Sequence, residues 1–131
     1  MNILIPVDIE EEVRLALADY MQAYCPPLPA NFETPCILAK NTGGTSDNKV
    51  DEFVVTLDSR AKTEAEAYEL LRKALGVLRK QAILQKGALR KVAVNSLARW
   101  GTDPARPDLS LCTATVLITA HSESATVSEE S

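Results

Sequence analysis

The sequence predicts a single α+β domain: a two-layer sandwich of about four mostly antiparallel strands, with two helices on one face, in the order α-β-β-α-β-β. Two patterns lead to this prediction. Residues 51–58 alternate between apolar and polar side chains, as a half-buried strand does. Thr63 and Glu66 form a capping box, which opens an apolar stripe of helical spacing. The chain has 131 residues, 46% of them hydrophobic, and can therefore build one core.

The first helix is expected over residues 9–24. Asp8 is the candidate N-cap, and the three glutamates 10–12 place negative charge in the first turn, where the helix dipole favours it. Apolar residues then recur at helical spacing. The helix must end before Pro26 and Pro27, which cannot continue it, and an extended connector should follow.

Residues 36–41 and 51–58 are expected to form an antiparallel hairpin. Between them, residues 42–48 (TGGTSDN) are polar and glycine-rich, which predicts a long and mobile hairpin tip. The second helix is expected over residues 64–81. Gly76 inside it lowers helix stability by about 1 kcal/mol relative to alanine and suggests close packing against the sheet.

A third strand is expected over residues 91–98 and a fourth over residues 111–121, which are rich in β-branched side chains. The intervening segment, RWGTDPARPDLS, contains two prolines and a glycine and predicts a loop. The domain is expected to span residues 1–122. Residues 123–131 are polar and acidic, and we expect them to form a disordered tail.

Composition narrows the classes of function. A net charge of −4 and a pI near 5.0 argue against a free-standing nucleic-acid binder. Apolar runs fall short of the roughly 20 residues of a membrane span. Residues 1–7 lack the basic start of a signal peptide, so folding in the cytoplasm is expected. Cys25, Cys36 and Cys112 contain no C-x-x-C pair and are expected to be small buried hydrophobes, with a disulfide or metal site as the alternative.

The sequence shows no arrangement of catalytic, cofactor-binding or metal-binding residues, and we expect no enzyme activity. His121, the only histidine, is expected at a solvated strand end. The TGGT segment lacks the spacing of a phosphate-binding loop. Asp47, Asp51 and Asp58 either bind a cation near the first hairpin or are simply solvated.

Two further features allow two interpretations each. Trp100 either fills the core under its loop or anchors an interface. A basic cluster on and after the second helix either forms a solvated face or contacts an acidic partner or neighbouring subunit. The cluster comprises Arg72, Lys73, Arg79, Lys80, Lys86, Arg90 and Lys91.

Over roughly residues 8–121 the chain resembles the tail terminator and tail completion (head–tail joining) proteins of long-tailed bacteriophages. The resemblance lies in the N-terminal helix, the Pro-flanked first strand, the unit DEFVVTLDSRAKTEAEAYELLRKAL, and the final W-G-T-D-P…P-D-L-S…T-A-T-V-L-I-T hairpin.

The resemblance implies a structural virion protein without catalytic residues or cofactor. Such proteins form rings, commonly hexamers, that cap the tail tube and join it to the head connector. DNA only passes through the ring. The protein would be in the host cytoplasm during assembly and in the virion afterwards. Exposed sheet edges would be covered by neighbouring subunits. The loops expected to meet partners contain Gly43, Gly44, Asp47, Asn48, Lys49, Trp100, Asp103 and Arg106.

Two other functions remain open at this point. A small ligand-binding or regulatory module with a ferredoxin-like sheet would be a dimer with an apolar pocket between helices and sheet. A small enzyme that uses cysteine or carboxylates would carry an accessible, perturbed thiol or a buried acid pair.

Overall fold

The computed structural model describes residues 1–47 and 50–129, and strand residues outnumber helix residues roughly two to one. The elements in chain order are β1 (Asn2–Ile5), α1 (Ile9–Ala18), β2 (Ala23–Tyr24), β3 (Cys36–Ser46), β4 (Val50–Ala61), α2 (Glu64–Ile83), β5 (Leu89–Asp103), β6 (Arg106–His121) and β7 (Glu123–Thr126).

The predicted four-stranded sandwich of order α-β-β-α-β-β is wrong. The main sheet has five strands in the order β2-β3-β4-β6-β5, and β1 and β7 form a separate two-stranded sheet. The main sheet is mixed, since β2 runs parallel to β3 while the other neighbours are antiparallel. Strands β1, β2 and β7 have only two to four residues each, too few to show a periodic pattern in the sequence.

Both helices pack on the same face of the main sheet. Inward-facing residues alternate along the two central strands, for example Val55 and Leu57 of β4 beside Val116 of β6. Val13 of α1 and Leu71 of α2 are fully buried against this face. The apolar stripes of strands and helices therefore share one core.

The helix starts are as predicted, but the helix ends differ. The side chain of Asp8 caps α1 and that of Thr63 caps α2, accepting from the Glu66 amide at 3.2 Å. The expected first helix to residue 24 is wrong, because α1 ends at Ala18. Residues 23 and 24 instead pair with β3, which satisfies their backbone groups in the sheet.

The tail was expected to be disordered from residue 123, whereas Glu123–Thr126 form β7 and pair along the whole of β1. The expectation used only the polar composition of the tail, which does not show that Asn2–Ile5 supplies a pairing partner.

Candidate functional site

The tip of the first hairpin is a paired ribbon. The predicted loop over 42–48 is wrong up to residue 46, because β3 continues to Ser46, which pairs with Asp51 of β4. Gly43 and Gly44 lie within this ribbon, and Asp47 follows it. The candidates Asn48 and Lys49 lie outside the described residues.

Gly44 fits this ribbon because it has no side chain. Its φ is +141°, and a Cβ atom there would lie 2.1 Å from the carbonyl oxygen of Glu52 on the facing strand. The two backbones approach each other too closely for any larger residue. Gly44 therefore serves strand pairing, although the composition of the segment alone had suggested a mobile loop.

The three aspartates considered as a cation site do not converge. Asp51 is fully buried among core-facing residues and accepts hydrogen bonds from the Ser46 hydroxyl and, at 2.9 Å, from the Ser122 hydroxyl. Asp58 points to the opposite face, where Lys40 Nζ lies 2.9 Å from its carboxylate. In the described ranges no three histidine, cysteine or acidic side chains are grouped as metal ligands.

The second hairpin has a tight tip where a loop over residues 99–110 was expected. That expectation is wrong for most of the segment, since β5 extends to Asp103 and β6 begins at Arg106. Arg106 bonds Asp108 through two contacts of 3.1 Å, and its guanidinium lies 5.5 Å from the ring centroid of Phe32. Pairing of the flanking residues leaves only two residues to form the turn.

Asp103 is buried at this tip. Its carboxylate accepts from the Ala105 amide at 2.9 Å and from Arg60 Nε at 3.1 Å. Burial raises the pKa of Asp103, but the bonds from Ala105 and Arg60 outweigh it and hold the pKa below its ordinary value. Arg60 also lies 4.0 Å from Asp58, and its Nη1 atom is buried without a hydrogen-bond partner. Asp103, which was expected to contact a partner, therefore stabilises the hairpin tip from inside the fold.

Trp100 lies on β5, which forms one edge of the main sheet, and half of its surface is exposed. Its ring packs 5.7 Å from that of Tyr68 on α2, and the Arg72 guanidinium lies 5.8 Å from the Tyr68 ring centroid. Leu97 on the same strand is 55% exposed. Trp100 does not fill the core, so that interpretation is wrong. Trp100 and Leu97 are both exposed apolar residues on the edge strand β5.

Charge is divided between the two sides of the domain. Lys91 and Arg99 of the edge strand β5 are exposed, and so are the lysines and arginines of α2. On the other side α1 packs against β2 and β3, with Glu10 in its first turn and Asp19 at its end. The Glu10 carboxylate accepts from the Asn41 amide of β3 at 2.8 Å. Glu12 lies away from this side, beside Gly87 just before β5. The β5 edge strand therefore carries exposed basic side chains, and Glu10 carries negative charge on the β3 side of the sheet.

An open apolar depression of about 430 Å³ lies between α2 and residues 20–21, which follow α1, and we call it the helix furrow. Gly76 lies in it, and a Cβ atom added there would have no neighbour within 4 Å. The expected close packing of Gly76 against the sheet is therefore wrong: it faces open space. The furrow is lined by Tyr20, Met21, Lys73, Gly76, Val77, Lys80 and Gln81.

Strands β1 and β7 form a second exposed feature, which we call the terminal ribbon. The two strands pack mainly against each other. Leu4 and Val127 are 53% and 41% exposed. Ser122 bonds the buried Asp51 and so holds the base of the ribbon to the main sheet. Sequence reasoning missed both the ribbon and the furrow; the apolar start MNILI was the one signal for the ribbon.

The three cysteines differ in burial. Cys36 and Cys112 are buried, as expected, and Cys25 is partly buried; all three are free. Burial and, second to it, the neighbouring Glu11 carboxylate together raise the pKa of Cys25 to about 11. Burial also raises the pKa of Cys36 to about 11. His121 is exposed at the end of β6, as expected.

Comparison with models of known protein families found no match, and comparison with curated proteins found none. Within the described residues, neither helix combines the length and apolar character that crossing a membrane requires.

Proposed function

We propose that this chain is a ring-forming structural subunit, a tail terminator or tail completion protein of a long-tailed bacteriophage. In this role it caps the tail tube and joins it to the head connector, and DNA passes through the ring. Its partners are copies of itself, the tail tube protein and the connector. It performs no catalysis, binds no cofactor, and moves from the host cytoplasm into the virion.

The observation that carries the proposal is the division of charge between the two sheet edges. Lys91 and Arg99 are exposed on the edge strand β5, and Glu10 of α1 lies beside β3 towards the other edge, with Asp19 exposed at the end of the same helix. Identical copies that meet basic edge to acidic edge form a heterologous contact, and such a contact closes into a ring when its rotation permits. The resemblance over residues 8–121 supplies the tail-specific part of the proposal.

The β5 edge favours contact through side chains over continuation of the sheet. Its pairing with β6 is interrupted by register shifts between Leu89 and Lys91, and twice more before Arg99. Bulges of this kind twist an edge strand away from open-ended strand addition. Exposed Trp100 and Leu97 then provide the apolar contact that a finite ring interface needs.

Charge reversal tests the edge contact. Light scattering of the concentrated wild type should reveal rings, of about 85 kDa for six copies of the 14.2 kDa chain. The double variant Lys91→Glu/Arg99→Glu should lose the ring, and adding Glu10→Lys/Asp19→Lys should restore it. Lys62→Glu changes an exposed charge away from both edges and serves as control. A compact dimer that co-purifies with a small molecule would contradict the proposal.

Deletion of the reading frame from its genome tests the role in the tail. We expect tails that are not joined to heads in electron micrographs of the lysate, with rescue by the wild-type chain. Normal virions without this chain would refute the assignment.

The helix furrow favours one alternative function, that of a small-ligand-binding or regulatory module. Its volume and apolar lining suit a small molecule. A metabolite panel distinguishes the two functions: the module predicts an increase of the unfolding midpoint with a specific compound, whereas a ring subunit predicts none.

A further inference from the structure

We propose that the helix furrow receives the terminal ribbon of a second copy of this chain. The inference rests on the self-association in the proposed function and names a contact additional to the two sheet edges. It brings together two of the apolar features that lie exposed at separate places on the domain.

The furrow has the shape of a receptor for side chains. Its floor includes Met21 and Val77, and Gly76 leaves open space where another residue would fill the depression. Tyr20 at its margin is 60% exposed. Large apolar side chains around an open groove gain most when another apolar surface displaces the water there.

The ribbon has the properties of a partner for that groove. A two-stranded sheet is marginally stable by itself in water, so β1 and β7 gain from packing onto a further surface. Leu4 and Val127 expose apolar side chains on it. The Ser122–Asp51 bond anchors its base, so that it is presented as an ordered unit.

Charge favours this pairing and sets its direction. Lys73 and Lys80 flank the furrow two helical turns apart on α2, and both are exposed. The ribbon segment carries Glu123, and Glu129 follows it; residues 122–129 contain no lysine or arginine. The N-terminal ammonium of Met1 donates to the Val127 carbonyl at 3.0 Å and offsets one of these two charges. The ribbon with its flanking residues keeps one net negative charge, which complements the basic furrow, while furrow-to-furrow contacts would bring like charges together.

The contact is heterologous, since the ribbon and the furrow are different surfaces. Each copy gives a ribbon to one neighbour and takes a ribbon from the other. The Asp51 carboxylate links the base of the ribbon to the core of its own domain, so docking of the ribbon also fixes the orientation of the next copy.

Two substitutions at Gly76 test the contact without endangering the fold. Gly76→Ala and Gly76→Leu both place a better helix former at a position with open space, so both should leave the unfolding midpoint unchanged or raised. Gly76→Leu fills the furrow and should raise the dissociation constant of self-association by more than about tenfold, as loss of a central contact does. Gly76→Ala should change it little.

A mixing experiment identifies the ribbon as the occupant. The variant Leu4→Asp/Val127→Asp should fail to associate with itself, as should Gly76→Leu. Mixed together, they should form a heterodimer and stop there, because one intact ribbon meets one intact furrow. Sedimentation velocity of the two variants, alone and at equal concentrations, measures this.

The outcomes separate this inference from the proposed function. If rings persist in both variants, the ribbon–furrow contact is wrong and the edge contact remains. If the variants dissociate but their mixture does not associate, the furrow takes another occupant and the inference is wrong. If the wild type is monomeric up to about 1 mM, weaker than specific assembly requires, the contact is also wrong, while deletion of the reading frame still decides the function.

Discussion

Replacing Asp103 with alanine removes the buried carboxylate that holds Arg60 at the tip of the β5–β6 hairpin. Loss of one partner from a buried ion pair costs about 3–5 kcal/mol. The Asp58 carboxylate, 4.0 Å from Arg60 Nη2, retains part of the attraction. We therefore expect a destabilisation of about 3 kcal/mol, the lower end of that range. Asp103→Asn keeps an acceptor for Ala105 and should cost about 1–2 kcal/mol.

Urea unfolding followed by far-UV circular dichroism and by fluorescence of Trp100, the only tryptophan, measures this difference. Asp108→Asn is the matched control, since Asp108 pairs with Arg106 at the same tip but is exposed, and we expect no measurable change. If Asp103→Ala and Asp108→Asn shift the urea midpoint equally, the reasoning from burial is refuted.

The same residue makes a pH prediction. The pKa of Asp103 is lower in the folded chain than in the unfolded chain, so its charged form stabilises the fold. This stabilisation is fully present above the unfolded value of about 3.9 and is lost as the pH falls through the folded pKa. The wild type should therefore lose more stability on acidification below about pH 4 than Asp103→Asn does. Parallel acid profiles would contradict this.

Three further predictions concern single positions. Thr63→Ala removes the cap of α2 and should lower stability by about 1 kcal/mol in thermal unfolding, with Thr63→Ser as the conservative control. Gly44→Ala should destabilise the first hairpin by more than about 1 kcal/mol, because its Cβ atom meets the Glu52 carbonyl; an effect equal to that of Gly76→Ala would argue against the close approach. Cys25, with a pKa of about 11 instead of 9.0, should react with a thiol reagent at pH 8 about 100-fold more slowly than after unfolding.

Local sequence predicted the elements that carry their own periodicity. The alternation in residues 51–58 lies inside β4, and the stripe that begins at Thr63 is α2. These patterns extend over two or more turns or pleats, so each defines its element without reference to the rest of the chain. They also predicted correctly that Cys36 and Cys112 are buried.

The candidate site was predicted less well, because loops were inferred from composition. Glycines at 43 and 44 suggested mobility, but both lie in a paired strand, and Gly44 permits the close approach of the facing backbone. Asp103 was expected on a loop surface, but Arg60, 43 residues earlier in the chain, turns it inward. Turn-forming residues predict where a periodic element is interrupted. They do not show which distant residues pair with that segment or pack against it.

The sequence by itself determined the two capped helices, the apolar faces of the central strands and the acidic balance of the chain, because propensity, capping and alternation act between residues a few positions apart. The tertiary structure alone decided that Asn2–Ile5 meets Glu123–Thr126, that Lys91 and Glu10 lie towards opposite edges of the main sheet, and that α2 leaves a furrow beside residues 20–21. These features join residues up to 124 positions apart, and no local preference encodes such contacts until the sheet has brought the segments together.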